Sequence, residues 1–591
     1  MRSPDSSSQN SCIEPERFFG TNPITKDRRT GGKPLPLGEQ SCERFSRTEK
    51  ERERKGPLNL QILTRLTGGS PLGQDYLKGE THVCRFFSGS FREACSYEEK
   101  AQEVDRRFHR DARARALSMI SESTIPARAV LDRFLDEAGY FVTTGQQPGL
   151  FSGPLFGLYK ALTAVRLAGE LSSLLDRPVL ALFWIASEDH DWEEANHTHI
   201  LDASNNIRTF RVPPQEGGEN RPLHRIPLKD GLSETLDSFL DALPETDFSS
   251  RLFQLLRNGY AEGRTLPQGF SSVMKELLQD LPIAFVDSAD AEVKAASMPV
   301  LFREMEKAEE HEQLLARVAS HLELEGYHVQ VPILEGGVNL FLEGDQGRDR
   351  LYRDGNSFHL RRAGTRVTGD EVRGMASDDP LVLSPNVLLR PVVESSLFPT
   401  LAYVGGPGEV AYWAQLKELF EAHGLRMPVV HPRHSVTIVE GKIGKVLSKF
   451  HRTPESLARP HHEIAGEIAL EEVPTDVRKA LGEVRGALGR GAGALAKAVQ
   501  GIDPTLKGPV AHARNTAFGA FDEVEKRILQ ALKRENEIAL EQVAKAQRHL
   551  FPNGIPQERT FNAFYYLTRY GPELISRLLE EFDVALRPHS S

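Results

Sequence analysis

The sequence has few cysteines and no long apolar run. Four of its 591 residues are cysteine, and no two of them have the C-x-x-C spacing; they are Cys12, Cys42, Cys84 and Cys95. We therefore expect neither a disulfide framework nor a cysteine zinc site, and a reducing cytoplasm fits this composition. The longest apolar run, residues 179–186, has eight residues, whereas a transmembrane helix needs about 20. Because the N-terminus also lacks an apolar signal core, we expect neither membrane insertion nor secretion.

A surplus of basic residues is also missing. The chain carries 73 Lys and Arg against 83 Asp and Glu, a formal net charge of −10. Binding to nucleic acid through a general basic surface is therefore not expected. What the chain does have is 39% hydrophobic and 26% charged residues, which suits a soluble protein with a large interior. Its length corresponds to about three or four domain-sized units.

The first 56 residues differ in composition from the rest. They include ten hydrophobic, 12 basic and nine acidic residues, with many Ser, Pro and Gly. Such a segment buries too little apolar area to offset its chain entropy, so we expect a disordered leader or an early start codon. A tail that recruits a partner is the alternative. Because the segment carries a net charge of +3, the remainder carries −13 and is decidedly acidic.

The body of the chain alternates strands and helices. The predicted order is two helices, a β-rich run, a glycine turn, a helix and a buried strand, at residues 96–120, 127–137, 140–144, 145–149, 155–175 and 179–185. The last four elements form one βαβ unit with a right-handed crossover. Ligands of such open sheets bind at the carboxyl ends of the strands, so the polar segments there are candidate site residues.

A second strand, glycine turn and helix follow about 260 residues later, at residues 401–420. Between the two arrangements the sequence predicts a strand, an antiparallel ribbon with an Asp354-Gly355 hairpin turn, and a short buried strand, at residues 283–286, 338–361 and 387–390. We interpret this pattern as one core interrupted by insertions at about 200–280 and 320–380.

The residues after Pro432 indicate a long helical hairpin. Residues 475–502 and 512–549 carry apolar side chains close to heptad spacing, and the short break between them predicts antiparallel pairing. Glycines line one side of the first helix and permit close backbone approach; they are Gly482, Gly486, Gly489 and Gly493. This pattern suits a dimer surface, and a hairpin folded back on its own core is the alternative.

The first glycine turn is a candidate anion site. Its backbone N–H groups precede a helix N-terminus, and its two Gln amides can both donate and accept. The candidate residues are Gly145, Gln146, Gln147, Gly149, Ser152, Gly153 and, on the following helix, Lys160. The segment is neither a Walker A loop nor a dinucleotide fingerprint. A tight turn that requires glycine, with Lys160 on a solvated face, is the alternative.

The segment after the buried strand concentrates titratable groups, namely Glu188, Asp189, His190 and Asp191. Its carboxylates are expected to raise the pKa of His190, which could then serve as a proton shuttle. A metal site is one alternative, with ligands His190, Asp191, Glu194, His197 and His199, but their spacing matches no known motif. We therefore assign no metal to this segment. A solvated acidic loop is the other alternative.

The second glycine turn is a further candidate anion site. Its residues are Gly405, Gly406, Gly408 and Glu409, preceded by Tyr403 on the strand. Glu409 could complement the helix dipole or bind a substrate ammonium group. Near other strand ends, Arg390, Arg433 and His434 could hold a carboxylate. An ion-pair partner is the alternative for each arginine.

Three of these segments, residues 141–155, 183–191 and 401–409, together resemble the cysteine-adding enzyme family of bacillithiol biosynthesis. The tail at residues 556–562 is similar to that family's closing segment. The resemblance covers the chain from about Gln74 to the C-terminus. It implies an α/β fold with a Rossmann-like parallel-sheet core, connecting insertions and an α-helical coiled-coil hairpin that forms a homodimer.

Combined with the composition, the resemblance predicts five segments. They are a disordered leader, an N-terminal helical segment on the core, the interrupted core, the helical hairpin and a C-terminal segment returning to the core, at residues 1–56, 57–137, 138–435, 436–550 and 551–591.

The resemblance also implies a reaction, in which the carboxyl group of cysteine joins the amine of glucosaminyl-malate in an amide bond. His190, with Asp189 and Asp191, would transfer the proton, and the two glycine turns would border the substrates. Because amide formation from a free carboxylate is uphill, ATP or a related nucleotide is the expected activator, although no motif identifies it. Two alternatives remain open: a nucleotide-binding coiled-coil scaffold without catalysis, and a nucleotidyltransferase acting on another small acceptor.

Overall fold

The computed structural model describes residues 59–471 and 473–588. The leader predicted at residues 1–56 lies outside the described residues. Strands of the described chain are β1 (Leu60–Leu66), β2 (Glu122–Ser123), β3 (Tyr140–Gln146), β4 (Val179–Ile185), β5 (His197–Leu201), β6 (Ile207–Arg211), β7 (Ile283–Asp287), β8 (Gly337–Gly344), β9 (Gly347–Asp354), β10 (Ser357–Leu360), β11 (Thr365–Thr368), β12 (Leu383–Pro385), β13 (Thr400–Gly405), β14 (Val429–Pro432) and β15 (His434–Glu440).

The α-helices fall into three groups along the chain. Those that precede the core are Pro71–Lys78, Thr81–Cys84, Ala94–Arg107, Arg110–Ser118 and Ile125–Phe134. The core and its insertions contain Leu155–Leu175, Trp192–Ala195, Leu232–Asp241, Ser249–Gly259, Leu266–Leu277, Ala291–Glu306, Ala308–Leu324, Gly369–Asp378, Arg390–Leu397, Pro407–Trp413 and Lys417–Ala422. Those that follow the core are Gly441–Lys449, His461–Glu471, Thr475–Ala498, Lys507–Glu535, Glu537–Leu550, Phe564–Tyr570 and Glu573–Glu580. Within the described ranges, no helix combines the length and the apolarity that crossing a membrane requires.

The central sheet has six strands in the order β14-β13-β3-β4-β7-β2. The first five are parallel, and β2 pairs antiparallel with β7 at the edge. Because β3 pairs directly with β13, the two glycine turns that lie far apart in sequence follow adjacent strands. The prediction of one interrupted α/β core is confirmed. The strand order reverses between β3 and β13, which is the position where open α/β sheets bind their ligands.

The local sequence explains the elements that frame this position. All seven residues of β4 are buried, as expected for an interior parallel strand covered on both faces. The helix Leu155–Leu175 begins after Pro154 and ends at Asp176, whose φ of 51° is left-handed. At the end of β3, a Cβ on Gly145 would lie 3.0 Å from the Trp184 carbonyl oxygen. Glycine is therefore needed there for close strand packing.

The second insertion forms a separate antiparallel sheet with the order β11-β10-β9-β8-β12. The predicted hairpin turn is confirmed, since Gly355 has a φ of 63° between β9 and β10. The strand predicted at residues 387–390 is wrong. Asn386 Oδ1 accepts hydrogen bonds of 3.0 Å from the backbone N–H groups of Leu388 and Leu389. These bonds turn the chain into the helix Arg390–Leu397, because a short polar side chain can replace the backbone partner of an extended chain.

Regions flanking the core depart from the sequence pattern in two places. The N-terminal segment, predicted to be helical, opens with β1, which pairs antiparallel with β15 beside the hairpin. The helix predicted at residues 96–120 is two helices, since the buried Phe108 interrupts it with a ψ of 78°. The paired helices Thr475–Ala498 and Lys507–Glu535 confirm the predicted hairpin.

Candidate functional site

A cavity of about 360 Å³ lies at the carboxyl ends of the core strands. The turns after β3 and β13 form two of its walls, and the segment after β4 and the start of the helix Arg390–Leu397 add the others. Its lining includes ten of the residues predicted from the sequence: Gly145, Gln146, Gln147, Lys160, Asp189, Arg390, Gly406, Gly408, Glu409 and Arg433. The pairing of β3 with β13 explains why residues so distant in sequence meet here.

A buried ion pair joins the two glycine turns. Lys160 Nζ donates to the Gly145 carbonyl at 2.8 Å and to Gln146 Oε1 at 2.9 Å, and it forms an ion pair with Glu409. The side chain of Lys160 is 5% exposed. Burial lowers the pKa of Lys160 against the pull of Glu409. For Glu409, burial alone would raise the pKa, but Lys160 lowers it below its ordinary value. Its lowered pKa keeps Glu409 ionised at neutral pH, and its contact with Lys160 joins the two turns.

The second turn satisfies its own helix N-terminus. Glu409 Oε2 accepts a hydrogen bond of 2.8 Å from the Gly406 N–H, in a capping box. At the first turn, the Leu155 N–H donates to the Phe561 carbonyl at 3.0 Å. These bonds give a partner to one backbone donor at the start of each helix, the Gly406 N–H and the Leu155 N–H. Anion binding through other backbone N–H groups of the turns stays a prediction.

Two of the predicted arginines are held by acidic or phenolic partners. Arg390 binds Glu394 at 2.9 Å, Tyr403 Oη at 3.2 Å and Tyr412 Oη at 3.1 Å. Arg433 binds the buried Glu558 through both terminal nitrogens, at 3.1 Å and 2.7 Å. Glu558 neutralises Arg433, which is consistent with the ion-pair alternative for this residue. Arg390 adds positive charge to the cavity wall, and its three partners hold its side chain in place.

Among the described residues, donors on three side chains that line the cavity have no hydrogen-bond partner: the Gln147 amide nitrogen, Trp184 Nε1 and the Arg559 guanidinium. The amide nitrogen of Gln147 is buried and unbonded, and such buried polar atoms are rare without a reason. Arg559 also lines the cavity, with its guanidinium 6.0 Å from the centre of the Phe156 ring. Its side chain forms no hydrogen bond or ion pair with another of the described residues. The cavity therefore presents the Arg559 guanidinium and the Gln147 amide to a ligand, in addition to Arg390 and Arg433, which have partners.

The segment after β4 places Asp189 in the cavity and His190 beside it. His190 Nδ1 lies 3.3 Å from Arg348 Nη1 and 3.7 Å from Asp189. Burial, followed by the positive charge of Arg348, lowers the pKa of His190 below its ordinary value. Asp189 and Asp191 do raise this pKa, as predicted, but burial and Arg348 outweigh them, so the expected net rise is wrong. The sequence did not reveal that β9 delivers an arginine to the imidazole. A lowered pKa keeps His190 neutral at pH 7 and able to accept a proton.

Comparison with known proteins places the chain in a family. The family model described as bacillithiol biosynthesis BshC, N-terminal Rossmann-like domain, matches residues 59–434. The model described as bacillithiol biosynthesis BshC, C-terminal coiled-coil domain, matches residues 436–590. The chain belongs to the BshC family. The resemblance inferred from the sequence and the predicted fold class are both confirmed.

Three relatives in this family share the name "Putative cysteine ligase BshC". The protein of Salinibacter ruber is 33% identical over 465 residues, which cover 78% of this chain and 84% of the relative. The protein of Prosthecochloris aestuarii is 33% identical over 467 residues, covering 76% and 81%. The protein of Chlorobium phaeobacteroides is 31% identical over 552 residues, covering 90% and 97%. The similarity thus extends over most of each BshC chain.

Other predicted residues lie outside the cavity lining of this BshC chain. Glu188 forms a buried ion pair with Lys294, and Asp191 caps the short helix Trp192–Ala195. His434 stacks on Phe582 with ring centres 4.7 Å apart. The remaining five are Gly149, Ser152 and Gly153 in the buried turn before the helix Leu155–Leu175, and Tyr403 and Gly405 on β13. Each of these contacts is consistent with a structural role.

The turn that holds Ser152 is covered by the C-terminal segment. The Asn562 amide donates to the carbonyls of Phe151 at 2.7 Å and Gly153 at 3.3 Å, and to Thr198 Oγ1 at 3.0 Å. Tyr260 Oη donates to the Gly149 carbonyl at 3.2 Å. This turn is therefore a scaffold for the helix that follows, rather than part of the open cavity.

Several cavity residues were not identified from the sequence. Arg559 lies inside a segment that carries the family resemblance, and Phe156 directly follows another, so that resemblance was the available signal. Tyr412 lies on the helix after the second glycine turn. Gln330 in the lining, and Arg348 beside His190, come from the second insertion, and no sequence pattern connected them with the core.

The alternative metal ligands do not converge. His197 Nδ1 lies 2.9 Å from the Glu193 carbonyl, and His199 Nδ1 lies 2.9 Å from Thr209 Oγ1. Asp191 is committed to its helix cap. Among the described residues, the clustered ligand atoms that could hold a metal belong to other side chains. The hairpin β5-β6 therefore accounts for both histidines without a metal.

Proposed function

We propose that the chain is a ligase that joins the carboxyl group of cysteine to the amine of glucosaminyl-malate, forming the carbon–nitrogen bond of bacillithiol. The name cysteine ligase carried by its relatives, and the pathway named in its family, support this reaction. The observation that carries it is the cavity at the β3–β13 switch point. There, the Arg559 guanidinium and the Gln147 amide nitrogen have no hydrogen-bond partner among the described residues.

In this proposal, Arg559 binds a carboxylate of the malyl group. Glucosaminyl-malate is anionic, and the planar fork of a guanidinium matches a carboxylate through two parallel hydrogen bonds. Gln147 orients the same substrate through its amide. The Lys160–Glu409 pair holds the two turns at a fixed separation, so that both donors face one cavity.

Proton removal from the amine is assigned to Asp189 and His190. An amine attacks a carboxyl carbon only in its neutral form, so the ammonium group must first lose a proton. Asp189 lines the cavity and can bind the ammonium group, while neutral His190 lies 3.7 Å from Asp189 and can accept the proton. Asp191 supports the segment through its helix cap.

The amide bond needs an activated carboxyl group. Water leaves when a free acid and an amine condense, and this condensation is uphill in water, so a coupled reaction must first activate the carboxyl group. The Rossmann-like core is compatible with nucleotide binding, and ATP is the activating cosubstrate that we propose. We assign no residue to its phosphates.

A reconstituted assay tests the reaction. The purified chain is incubated with cysteine and glucosaminyl-malate, with and without ATP, and the products are resolved by mass spectrometry. Bacillithiol formed only with ATP supports the proposal, and a deletion strain should accumulate glucosaminyl-malate. Pyrophosphate release without cysteine would favour a nucleotidyltransferase. An unchanged cellular thiol level in the deletion strain would favour a noncatalytic scaffold.

We also propose that the chain is a cytoplasmic homodimer that pairs through its helical hairpin. Every described residue of the helices Thr475–Ala498 and Lys507–Glu535 is at least partly exposed. Leu495 is 53% exposed and Val524 is 46% exposed. A Cβ on Gly482, Gly489 or Gly493 would meet no atom within 4 Å. The apolar seam and glycine side are thus available to a second copy.

Light scattering tests the dimer. The chain should have twice its monomer mass of 65.9 kDa, and Leu495→Glu should shift it to the monomer, because a buried charge opposes apolar pairing. Glu483→Lys, an exposed change on the same helix, is the matched control. A wild-type chain that remains monomeric over the concentrations used would contradict the proposal.

A further inference from the structure

Away from the cavity, three buried titratable side chains face one another. Glu304 lies on the helix Ala291–Glu306, His311 on the helix Ala308–Leu324, and His423 directly after the helix Lys417–Ala422. Their side chains are 0%, 1% and 2% exposed, respectively. Burying a carboxylate is costly unless it is paired or binds a metal, so this cluster requires an explanation.

The three ligand atoms of the cluster, one from each side chain, lie within 4.8 Å of one another. His311 Nδ1 is 2.5 Å from Glu304 Oε2, and His423 Nε2 is 3.9 Å from the same oxygen. The two imidazole rings have centres 4.8 Å apart. Both rings thus approach a single carboxylate oxygen, which is the arrangement of ligands around a common centre.

The other oxygen of the carboxylate is held by the protein. Glu304 Oε1 accepts hydrogen bonds from the Asn339 backbone N–H at 3.2 Å and from its side-chain amide at 2.9 Å. These bonds fix the carboxylate plane and leave Oε2 for the histidines. Metal-binding carboxylates and imidazoles are commonly oriented by hydrogen bonds of this kind.

His423 provides a second, independent observation. Its Nε2 atom is buried and has no hydrogen-bond partner, although the 3.9 Å separation from Glu304 Oε2 points it into the cluster. A hydrogen-bonded His–Glu pair accounts for His311 but leaves this nitrogen without a role. Buried polar atoms normally have a protein, water or ion partner.

We propose that Glu304, His311 and His423 bind one divalent transition-metal ion, with zinc as the best match. Two imidazole nitrogens and one carboxylate oxygen are ligands that zinc accepts, at roughly 2.0–2.2 Å. A water molecule completes the tetrahedral coordination. The hydrogen between His311 and Glu304 leaves when the metal binds, and the two atoms separate slightly to make room.

This metal site has a structural consequence for the cavity. Asn339 Oδ1 accepts a hydrogen bond of 2.8 Å from the Asn386 amide. The Asn386 carbonyl in turn accepts one of 3.0 Å from the Arg390 N–H. The metal would therefore rigidify the chain that positions Arg390, without contacting the substrate. This inference does not depend on the reaction proposed above.

Metal analysis of the purified full-length chain tests the site. After removal of loosely bound metal with a chelator, reloading with zinc should leave about one ion per chain, and it should raise the thermal midpoint, since a ligand of the native state stabilises it. Cobalt added to the stripped chain should give the visible absorption of tetrahedral nitrogen–oxygen coordination. Failure of the wild-type chain to retain zinc and to give the cobalt spectrum would overturn the proposal.

Two variants locate the site. Glu304→Gln and His423→Ala should each abolish stoichiometric zinc and the cobalt spectrum. His321→Ala is the matched control, because His321 is an exposed histidine on the same helix as His311, and it should behave as wild type. If both cluster variants fold and still bind one zinc ion, the site lies elsewhere and the assignment is wrong. If neither variant folds, zinc retention and the cobalt spectrum of the wild-type chain decide whether the proposal stands.

Discussion

Removing the Lys160–Glu409 pair one partner at a time tests whether it holds the cavity together. In Lys160→Met, Glu409 keeps the Gly406 N–H and the Tyr403 hydroxyl as donors but loses its counter-charge. In Glu409→Gln, the buried ammonium keeps the Gly145 carbonyl and Gln146 Oε1 as acceptors. Each variant leaves one buried charge without its partner, so each should lower the free energy of unfolding by about 3 kcal/mol.

The double variant distinguishes a coupled pair from two independent residues. If the two losses were independent, Lys160→Met combined with Glu409→Gln would cost about 6 kcal/mol. Because the second substitution removes the charge that the first left unpaired, we expect about 4 kcal/mol and a coupling energy of about 2 kcal/mol. A double variant as stable as the wild-type chain would indicate that the pair contributes little beyond the cost of burying its charges.

Urea unfolding followed by tryptophan fluorescence measures these differences in the core. The three tryptophans of the chain, Trp184, Trp192 and Trp413, all lie in the Rossmann-like region around the cavity. The comparison requires equal m-values, since a changed slope reports a changed unfolded or native state. Lys275→Met, which removes a half-exposed ion pair with Glu122, is the control and should cost less than about 1 kcal/mol. Additivity of the two cavity substitutions within about 0.5 kcal/mol would refute the coupling.

Three further outcomes are expected. Burial lowers the pKa of His434 to about 4. As the pH falls from 6.5 to 4, this histidine is protonated in the unfolded chain before it is protonated in the folded chain, so stability should fall by on the order of 3 kcal/mol. His434→Gln should reduce this loss, whereas His321→Gln should not. Arg559→Ala should lower kcat/KM in the bacillithiol assay by about 10- to 100-fold, corresponding to one charge-assisted bond, while the exposed Arg577→Ala leaves it unchanged. Asn562→Ala should lower the thermal midpoint, because three buried acceptors lose their donor, at about 2 kcal/mol or more; an unchanged midpoint would show that water replaces it.

The core could be predicted from the sequence because its signals are local. The apolar run of β4, the glycine turns and the break at Pro178 each act on their own neighbours, and periodicity records such effects directly. That β3 and β13 belong to one core could also be predicted, because the chain has two similar strand–turn–helix arrangements. The strand predicted at residues 387–390 failed for a similarly local reason: the side chain of Asn386 captures two backbone donors.

The electrostatics of the site could not be predicted in the same way. Burial lowers the pKa of His190, and so does Arg348, which arrives on β9 about 160 residues later. The same holds for Arg433, whose charge is neutralised by Glu558 from the C-terminal segment. A sequence shows the charges of neighbours along the chain, but the pKa depends on neighbours in space and on burial.

These long-range contacts also change how ligand binding at the switch point should be understood. In many open α/β folds, a free helix N-terminus binds the anion, so backbone geometry determines the ligand class. Here Glu409 and the Phe561 carbonyl each accept a hydrogen bond from one backbone donor at the start of a helix. In the proposed function, recognition relies on the side chains of Arg559 and Gln147, which a point substitution can alter without disturbing the backbone. Substrate selectivity in this cavity should consequently respond to side-chain changes at these two positions more than to changes in the glycine turns, whose substitution would first damage the fold.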